Sequence, residues 1–338
     1  MTASATPIPA TNTQPADPGS APVPPSLAHL PVALFTTVMG VAGLALAWAK
    51  ASALAGAPAL PGLCLRGVAT ALYVFLFVLY ALKALRYPAQ VEAERAHPVQ
   101  VNFFPAISTG MVLLSIAWLP TLPGLAHVLW SVGAAAHLVL TLLAVGSWIF
   151  HPHYSIQHAS PAWFIPAVGN ILMPIVGMQW APPDISWFFF SIGLVFWLVL
   201  MTIVFYRLFF HEPLPPPMRP TLAILLAPPS AGFVAYMALT GQVDGLARVL
   251  YSMALFVFLL LASHVRQFAR LPFSTAAWGY SFPLAAFTMA SLEMAHRSAS
   301  AWYAVLAWAL LALLSVVVSW LAWLTLRAAV RGQFARPQ

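Results

Sequence analysis

The sequence predicts an all-α integral membrane protein with ten transmembrane helices arranged as five hairpin repeats, and three observations lead to this fold class. Of 338 residues, 62% are hydrophobic and only 6% are charged, whereas a soluble domain carries roughly 25% charged residues. Ten apolar runs approach the length of about 20 residues that a helix needs to cross a bilayer. A proline followed by small or polar residues recurs in every second run.

The predicted spans follow the boundaries of the apolar runs. They cover residues 31–49, 64–85, 102–119, 125–150, 162–178, 186–210, 221–240, 246–263, 276–295 and 301–326. Tryptophans such as Trp48 and Trp118 cluster near the ends of the runs, which is typical of a membrane interface. Residues 1–28 are rich in Pro, Ala, Thr and Ser and are predicted to be a disordered tail. The ten-helix transmembrane domain is predicted at 29–330, with a short cytoplasmic tail at 331–338.

The odd-numbered spans share a proline motif that looks like an internal repeat. The prolines are Pro31, Pro105, Pro166, Pro228 and Pro283, separated by 74, 61, 62 and 55 residues. Proline removes a backbone hydrogen bond from a helix, and at membrane depth this is tolerated only where protein or a water-filled cavity surrounds it. The even spans are bulky and continuous, as at 188–210. We therefore predict that the odd helices form a central five-helix pore enclosed by the even ones, although prolines are also simply common in membrane helices.

The stretch at 278–295, WGYSFPLAAFTMASLEMA, is the centre of this prediction. Phe282 directly precedes Pro283, where a kink is predicted, and its ring fills a space that Gly279 and Ala285 are too small to fill. We predict that Phe282 is the gate of the pore. The other predicted pore-lining residues are Gly40, Pro105, Ser108, Pro166, Gly169, Asn170, Pro228, Ser230, Pro283, Ala286 and Glu293.

Two of these polar residues leave alternatives open. Asn170 is the most polar group deep in any span, and it either lines the pore or hydrogen-bonds a neighbouring helix. Glu293 is the one carboxylate within a predicted span, and it follows Phe282 by eleven residues on the same helix face. It lies either at the outer pore mouth or at the membrane interface near Arg297, and the interface is the simpler interpretation.

The remaining side chains favour neither an enzyme nor a cofactor protein. No basic patch with interleaved aromatic residues appears, so no nucleic-acid partner is expected. The lone Cys64 rules out a cysteine metal cluster. His151, His153 and His158 make the best metal case, but no Cys, Asp or Glu accompanies them. A haem needs two facing ligands, which the mid-span His137 alone does not supply. We predict no enzymatic activity, no metal and no cofactor.

The scarcity of charge inside the spans predicts a neutral pore. A cation pore would carry an acidic ring, and proton-coupled carriers usually depend on carboxylates or histidines at membrane depth. What remains is a pore lined by hydroxyls, amides and opened backbone. Such a pore can pass an anion that is held weakly by N–H and O–H donors, helped by positive potential at its cytoplasmic mouth.

Five stretches in order resemble the tellurite-resistance/dicarboxylate transporter family, which includes bacterial tellurite-resistance protein A and plant slow anion channels. They are MGVAGLALAW (39–48), HPVQVNFFP (97–105), SPAWFIPAVGN (160–170), the span 187–200 and WGYSFPLA (278–285), and the match covers roughly residues 30–334. The resemblance implies five hairpins with quasi-fivefold symmetry, a central pore and a homotrimer. It also implies that Phe282 corresponds to a phenylalanine that plugs the pore.

The leading interpretation is an anion channel or channel-like permease of the bacterial inner membrane. It would pass small anions such as chloride, nitrate or sulfite, or C4-dicarboxylates, with membrane lipid around it. The first alternative is a proton-coupled secondary carrier or exporter of dicarboxylates or oxyanions such as tellurite and sulfite. The second is a membrane enzyme that uses the loop histidines, which the metal content of the purified protein would distinguish.

The basic residues predict the orientation. With ten spans, both termini and the loops after even spans share one side, which holds ten Lys and Arg against four on the other. Basic residues accumulate in cytoplasmic loops, so both termini should be cytoplasmic. A reporter active only in the cytoplasm should therefore work when fused after Gln338, and one active only in the periplasm should be silent. The opposite pattern would overturn both the orientation and the count of ten.

Overall fold

The computed structural model describes residues 26–150, 154–298 and 300–335, and every regular element in these ranges is helical. Residues 1–25 of the predicted tail lie outside the described residues. The α-helices are α1 (Phe35–Ala55), α2 (Leu60–Arg86), α3 (Pro88–Ala96), α4 (Pro105–Trp118), α5 (Pro123–Phe150), α6 (Phe164–Val168), α7 (Pro174–Trp180), α8 (Pro183–Phe210), α9 (Ala227–Thr240), α10 (Gly245–Ser263), α11 (Val265–Phe268), α12 (Ser281–Ser298) and α13 (Ala301–Val330).

Within the described residues, nine helical segments are long and apolar enough to cross a membrane, which confirms the predicted fold class of a multi-span α-helical membrane protein. They are Val32–Ala55, Leu60–Arg86, Gln100–Trp118, Pro123–Phe150, Pro161–Trp180, Pro183–Phe210, Pro216–Thr240, Gly245–Ser263 and Ala301–Val330. Each overlaps one predicted span. The predicted span 276–295 corresponds to α12, which is not among the nine. Its polar residues, including Ser281, Thr288 and Glu293, lower its mean hydropathy.

Each of the five segments predicted as odd-numbered spans begins with a 3-10 segment, and the numbering of the ten predicted spans is kept below. These segments are Val32–Leu34, Gln100–Phe103, Pro161–Trp163, Pro216–Leu226 and Thr275–Tyr280, and they precede α1, α4, α6, α9 and α12. Pro105, Pro228 and Pro283 lie in the first turn of their α-helices. The missing N–H of proline leaves no intrahelical bond unmade there. The sequence predicts a kink beside Pro283, and at this place the structure changes from 3-10 to α geometry.

The odd-numbered spans contact one another in a closed circuit. Helix α1 contacts α4, α4 contacts α6 and α7, α7 contacts α9, α9 contacts α12, and α12 contacts α1. Each odd span also packs against the even helix that follows it, namely α2, α5, α8, α10 or α13. The odd and even spans differ in burial over an 18-residue apolar stretch of each of the nine segments. In the four odd spans among them 67–83% of these residues are buried, and in the five even spans 28–39% are buried. The odd spans therefore lie inside and the even spans outside.

Small residues let these helices approach closely. A Cβ added to Gly43 in α1 would lie 2.8 Å from the Cβ of Ala285 in α12. A Cβ on Gly193 in α8 would lie 2.8 Å from Ile171. Membrane helices gain association energy from such close backbone packing, because lipid tails supply no hydrophobic drive between helices.

A buried ion pair joins α2 to α3 and to the chain before α1. The side chain of Lys83 is 1% exposed, and its Nζ lies 2.8 Å from Oε1 of Glu94. The same Nζ donates a hydrogen bond of 2.8 Å to the carbonyl of Leu30. The Tyr80 hydroxyl donates to the second carboxylate oxygen of Glu94 at 2.6 Å. Burying a charge is costly unless it is paired and hydrogen-bonded, and this network provides both.

The substitution Lys83→Met should destabilise the protein strongly. It leaves the Glu94 carboxylate without its cation, and breaking a buried pair typically costs about 3–5 kcal/mol of unfolding free energy. Thermal unfolding of the detergent-solubilised protein would measure the loss. The control is Arg86→Met in the same last turn of α2, where the side chain is exposed and the melting temperature should not change. Equal melting temperatures for wild type and Lys83→Met would show that the network is not stabilising.

Candidate functional site

Two cavities lie among the odd-numbered spans. The N-side cavity, of about 60 Å³, is lined by residues from the N-terminal halves of all five, including Thr36, Thr109, Gly169, Pro228 and Phe282. The C-side cavity, of about 250 Å³, is lined by residues nearer their C-terminal ends, including Lys50, Leu113, Ile175, Val234 and Ala286. Because every odd span contributes to both, the two cavities lie along the interior of the closed circuit.

Phe282 lies between these two cavities. It lines both of them, and it shares that position with Leu172 and Ala231. The ring is the largest of the three side chains, and it is carried on the first turn of α12 immediately after the 3-10 segment Thr275–Tyr280. A Cβ added to Gly43 of α1 would lie 2.8 Å from Cβ of Ala285, one turn after Phe282, and 3.9 Å from the Cα of Phe282 itself. The missing side chain at Gly43 therefore lets the α12 backbone approach α1 here.

The cavity linings are more apolar than the sequence predicted. Thr36 and Thr109 are the hydroxyl side chains of the N-side lining. The Thr36 hydroxyl already donates to the carbonyl of Ala33 at 2.6 Å. Lys50 is the one charged side chain in either lining within the described residues. Several hydroxyl groups elsewhere in the odd spans donate to backbone carbonyls within the protein, as those of Thr37, Ser230 and Thr288 do.

Five of the predicted site residues contribute to a cavity lining. Gly169, Pro228 and Pro283 line the N-side cavity, Ala286 lines the C-side cavity, and Phe282 lines both. These five come from three spans whose proline motifs were used to predict the lining.

The other predicted lining residues lie within the described residues but outside both linings. Gly40 packs so tightly against Trp278 and Ser281 that no Cβ would fit. The Ser230 hydroxyl donates to the carbonyl of Leu226 at 2.7 Å, and Ser108 donates to the carbonyl of Pro105 at 2.9 Å. Serine in an apolar helix commonly satisfies its hydroxyl on its own backbone in this way.

Asn170 lies in a buried polar cluster between the fifth span, Pro161–Trp180, and α5. Its Nδ2 donates to the Thr141 hydroxyl at 3.0 Å and to the carbonyl of Pro166 at 3.1 Å. Thr141 in turn donates to the carbonyl of Pro166 at 2.7 Å. Of the two roles considered for Asn170, its contacts are those of a side chain that bonds a neighbouring helix.

His137 of α5 belongs to the same buried region. It is fully buried, and its Nδ1 lies 2.9 Å from the Ser108 hydroxyl and 3.4 Å from the Thr109 hydroxyl. Its ring packs so closely against Gly169 that a Cβ there would not fit. Thr109 and Gly169 both line the N-side cavity. His137 therefore contacts two residues of the cavity lining without lining the cavity itself.

Glu293 has two cationic partners near the C-terminal end of α12. Its Oε2 lies 2.6 Å from Nζ of Lys50, and its Oε1 lies 2.8 Å from Nε of Arg297. The predicted proximity to Arg297 is confirmed by this ion pair. Lys50 was not singled out from the sequence, although its position near the end of a span that carries the proline motif was a usable signal.

Trp278 separates the N-side cavity from a groove on the outer surface. It lines the cavity and also the apolar groove between α2 and α13, whose walls include Leu72, Leu76 and Leu326. Its Nε1 donates to the Thr325 hydroxyl of α13 at 2.9 Å. This hydrogen bond holds the indole in the wall.

Of the three loop histidines, His158 lies within the described part of the chain. No group of three or more His, Cys, Asp and Glu side chains there could hold a metal ion. His151 and His153 lie outside the described residues. The Nδ1 of His158 accepts a hydrogen bond of 3.1 Å from the Ser155 amide, so this histidine caps a local turn.

The loop between α9 and α10 is fixed by Asp244, near the C-terminal ends of the odd spans. One carboxylate oxygen accepts from the Ala247 amide at 3.0 Å and caps α10, and the other accepts from the Tyr236 hydroxyl. These hydrogen bonds, that of Tyr236 first, hold the pKa of the Asp244 carboxyl below its usual value.

Comparison with known proteins relates this architecture to anion channels. The "Guard cell S-type anion channel SLAC1" of Arabidopsis thaliana is 29% identical over 286 residues, which is 80% of this chain and 51% of the plant protein. The "S-type anion channel SLAH3" of the same plant is 27% identical over 278 residues, 80% of this chain and 44% of that protein. The chain thus spans about half the length of these plant relatives.

A bacterial relative matches over nearly its full length. The "Tellurite resistance protein TehA homolog" of Haemophilus influenzae is 24% identical over 311 residues, 90% of this chain and 92% of that protein. The family described as "Voltage-dependent anion channel" (SLAC1) matches residues 29–326. The relationship predicted from the five sequence stretches is confirmed. The chain belongs to this voltage-dependent anion channel family of membrane proteins.

Proposed function

We propose that this protein is an anion channel or channel-like permease whose ten helices, α12 included, surround one central pore. The observation that carries the proposal is the position of Phe282 between two cavities, each lined by all five odd-numbered spans. A pore that runs through the space enclosed by the odd helices, and that is blocked at one level, would show two such cavities with a residue between them.

The proposed interruption works by sterics and dewetting. Phe282, Leu172 and Ala231 offer no hydrogen bond to an ion, so an anion entering this level gives up hydration without compensation. A hydrophobic constriction of this kind gates a pore without any charge. The aromatic ring accounts for most of the bulk, and the pore opens when that ring leaves the axis.

The charge of the linings favours anions over cations. No carboxylate lines either cavity among the described residues, and the charged lining side chain is the cation Lys50. The names of the plant relatives as anion channels point the same way. We propose chloride, nitrate, sulfite or C4-dicarboxylates as substrates. Flux of chloride, nitrate, sulfite and malate into liposomes containing the purified protein would rank them.

A proton-coupled carrier of dicarboxylates or oxyanions such as tellurite and sulfite is the second candidate, and His137 is the observation that favours it. This titratable side chain lies at membrane depth, one residue behind the N-side cavity, where carriers commonly place proton-accepting groups. Flux that requires a pH gradient at clamped membrane potential would select the carrier. Flux that follows potential alone would select the channel.

Phe282→Ala should raise anion flux. Removing the ring opens the constriction, and the gain is tenfold or more if the lost barrier exceeds ~1.4 kcal/mol. Liposome flux or planar-bilayer conductance per protein molecule would measure the gain. The matched control is Phe287→Ala in the same helix, because Phe287 is fully buried and packs against Tyr251 and Phe258 instead of lining a cavity.

The control separates gating from packing. Truncating a packed phenylalanine costs about 3–5 kcal/mol of stability and creates a cavity, so Phe287→Ala should lower the melting temperature without raising flux. If well-folded Phe282→Ala conducts no better than wild type, the ring is not a gate.

We further propose a homotrimer in the bacterial inner membrane, with both termini cytoplasmic, the transmembrane domain at 29–330 and one pore in each protomer. The exposed apolar faces of the even helices, with Phe209, Phe210 and Trp320 among their side chains, offer surface for neighbouring protomers as well as lipid. Mass measurement of the protein in mild detergent should give three chains per particle. A stable monomer or dimer would reject the trimer.

A further inference from the structure

The C-side cavity contains a cation that is only partly neutralised. Lys50 is the charged residue in its lining, and the Lys50 side chain is 24% exposed while that of Glu293 is 10% exposed. Lys50 lines the cavity and Glu293 does not, so the lysine is the member of the pair that faces the cavity. Among the described residues, Lys50 is the charged side chain of the lining that an anion in this cavity would meet.

Glu293 is shared between two cations. One carboxylate oxygen pairs with Lys50 at 2.6 Å and the other with Arg297 at 2.8 Å. The guanidinium of Arg297 is also anchored, since its Nη1 donates to the carbonyl of Gly241 at 2.8 Å. The three side chains together carry one net positive charge. Glu293 therefore keeps a fixed ionic partner even when Lys50 moves away.

We propose that Lys50 is an anion-binding residue of the C-side cavity and that Glu293 competes internally with the permeating anion for it. This inference rests on the proposed function and names the residue that attracts its substrate. The exchange costs little because Glu293 remains paired with Arg297 while Lys50 turns to the anion. Breaking an unshared pair at this depth would instead leave a carboxylate without a partner.

The chemistry of lysine defines the class of ligand. An ammonium group is a compact charge on a flexible stem, and it lacks the planar fork by which arginine recognises carboxylates in two-point contacts. Lys50 therefore selects for negative charge and accepts halides, oxyanions and carboxylates alike. Because Glu293 lowers its attraction, the anion is held loosely enough to leave, which conduction requires.

The test compares substitutions with opposite expected signs. Lys50→Met should raise the half-saturating chloride concentration by about fivefold to tenfold, the effect of one partly screened charge, and should reduce the preference for chloride over potassium. Lys50→Arg should restore both. Glu293→Gln removes the competitor and should lower the half-saturating concentration. Chloride flux into liposomes over a concentration series, with reversal potentials in planar bilayers, gives both readouts.

The exchange of Lys50 between Glu293 and the anion also predicts the effect of removing Arg297. In Arg297→Gln the carboxylate of Glu293 retains Lys50 alone, so Lys50 is less available and the half-saturating concentration should rise. Adding Glu293→Gln to that variant should reverse the rise. The matched control is Arg248→Gln, which removes an exposed cation at the start of α10 and should leave the half-saturating concentration within about twofold of wild type.

The outcomes distinguish this inference from the proposed function. If the wild-type protein carries no anion flux, the proposed function fails and Lys50 has no substrate to bind. If wild type conducts but Lys50→Met changes neither half-saturation nor ion preference, the inference alone is wrong. It is also wrong if Lys50→Met and Glu293→Gln change half-saturation in the same direction, or if Arg248→Gln matches Lys50→Met.

Discussion

The structure depends on the requirement that polar groups inside a bilayer be satisfied by the protein itself. In the inner helices, hydroxyl groups donate to carbonyls one turn earlier, as Ser230 does to Leu226 and Thr288 to Leu284. Asn170 and Thr141 bond each other across a helix interface. These hydroxyl and amide donors are already used within the protein, so the space between the five inner spans is bounded mainly by apolar side chains.

In an apolar interior, a single bulky or charged side chain has a large effect on an ion that passes it. In the proposed pore, an aromatic ring blocks the path because the apolar side chains beside it do not solvate an ion. A single ammonium group dominates the electrostatic field, because no other charged side chain of the described residues lines the two cavities. The paired carboxylate moderates that field. In this proposal, barrier and attraction come from separate residues, Phe282 and Lys50.

Much of the architecture could be predicted from the sequence, because hydrophobic length and proline placement are local signals. These two signals predicted the positions of the spans and the alternation of inner and outer helices. Side-chain direction was less predictable. Ser108, Ser230 and Asn170 were expected to line the pore because they are polar, but hydrogen bonds draw them to nearby carbonyls and helices. Lys50 was missed because its pairing with Glu293 joins the first and ninth spans, which lie far apart in the chain.

The indole of Trp278 has a consequence for access to the protein. Trp278 lines both the N-side cavity and the groove between the outer helices α2 and α13. At this point one aromatic residue stands between the cavity and a groove on the outer surface, where the proposed channel would meet lipid. An apolar inhibitor dissolved in the bilayer would reach this wall by lateral diffusion, at a depth that a charged blocker reaches only through an aqueous mouth. Lipophilicity, as well as charge, then becomes a property to vary in the search for ligands of this protein.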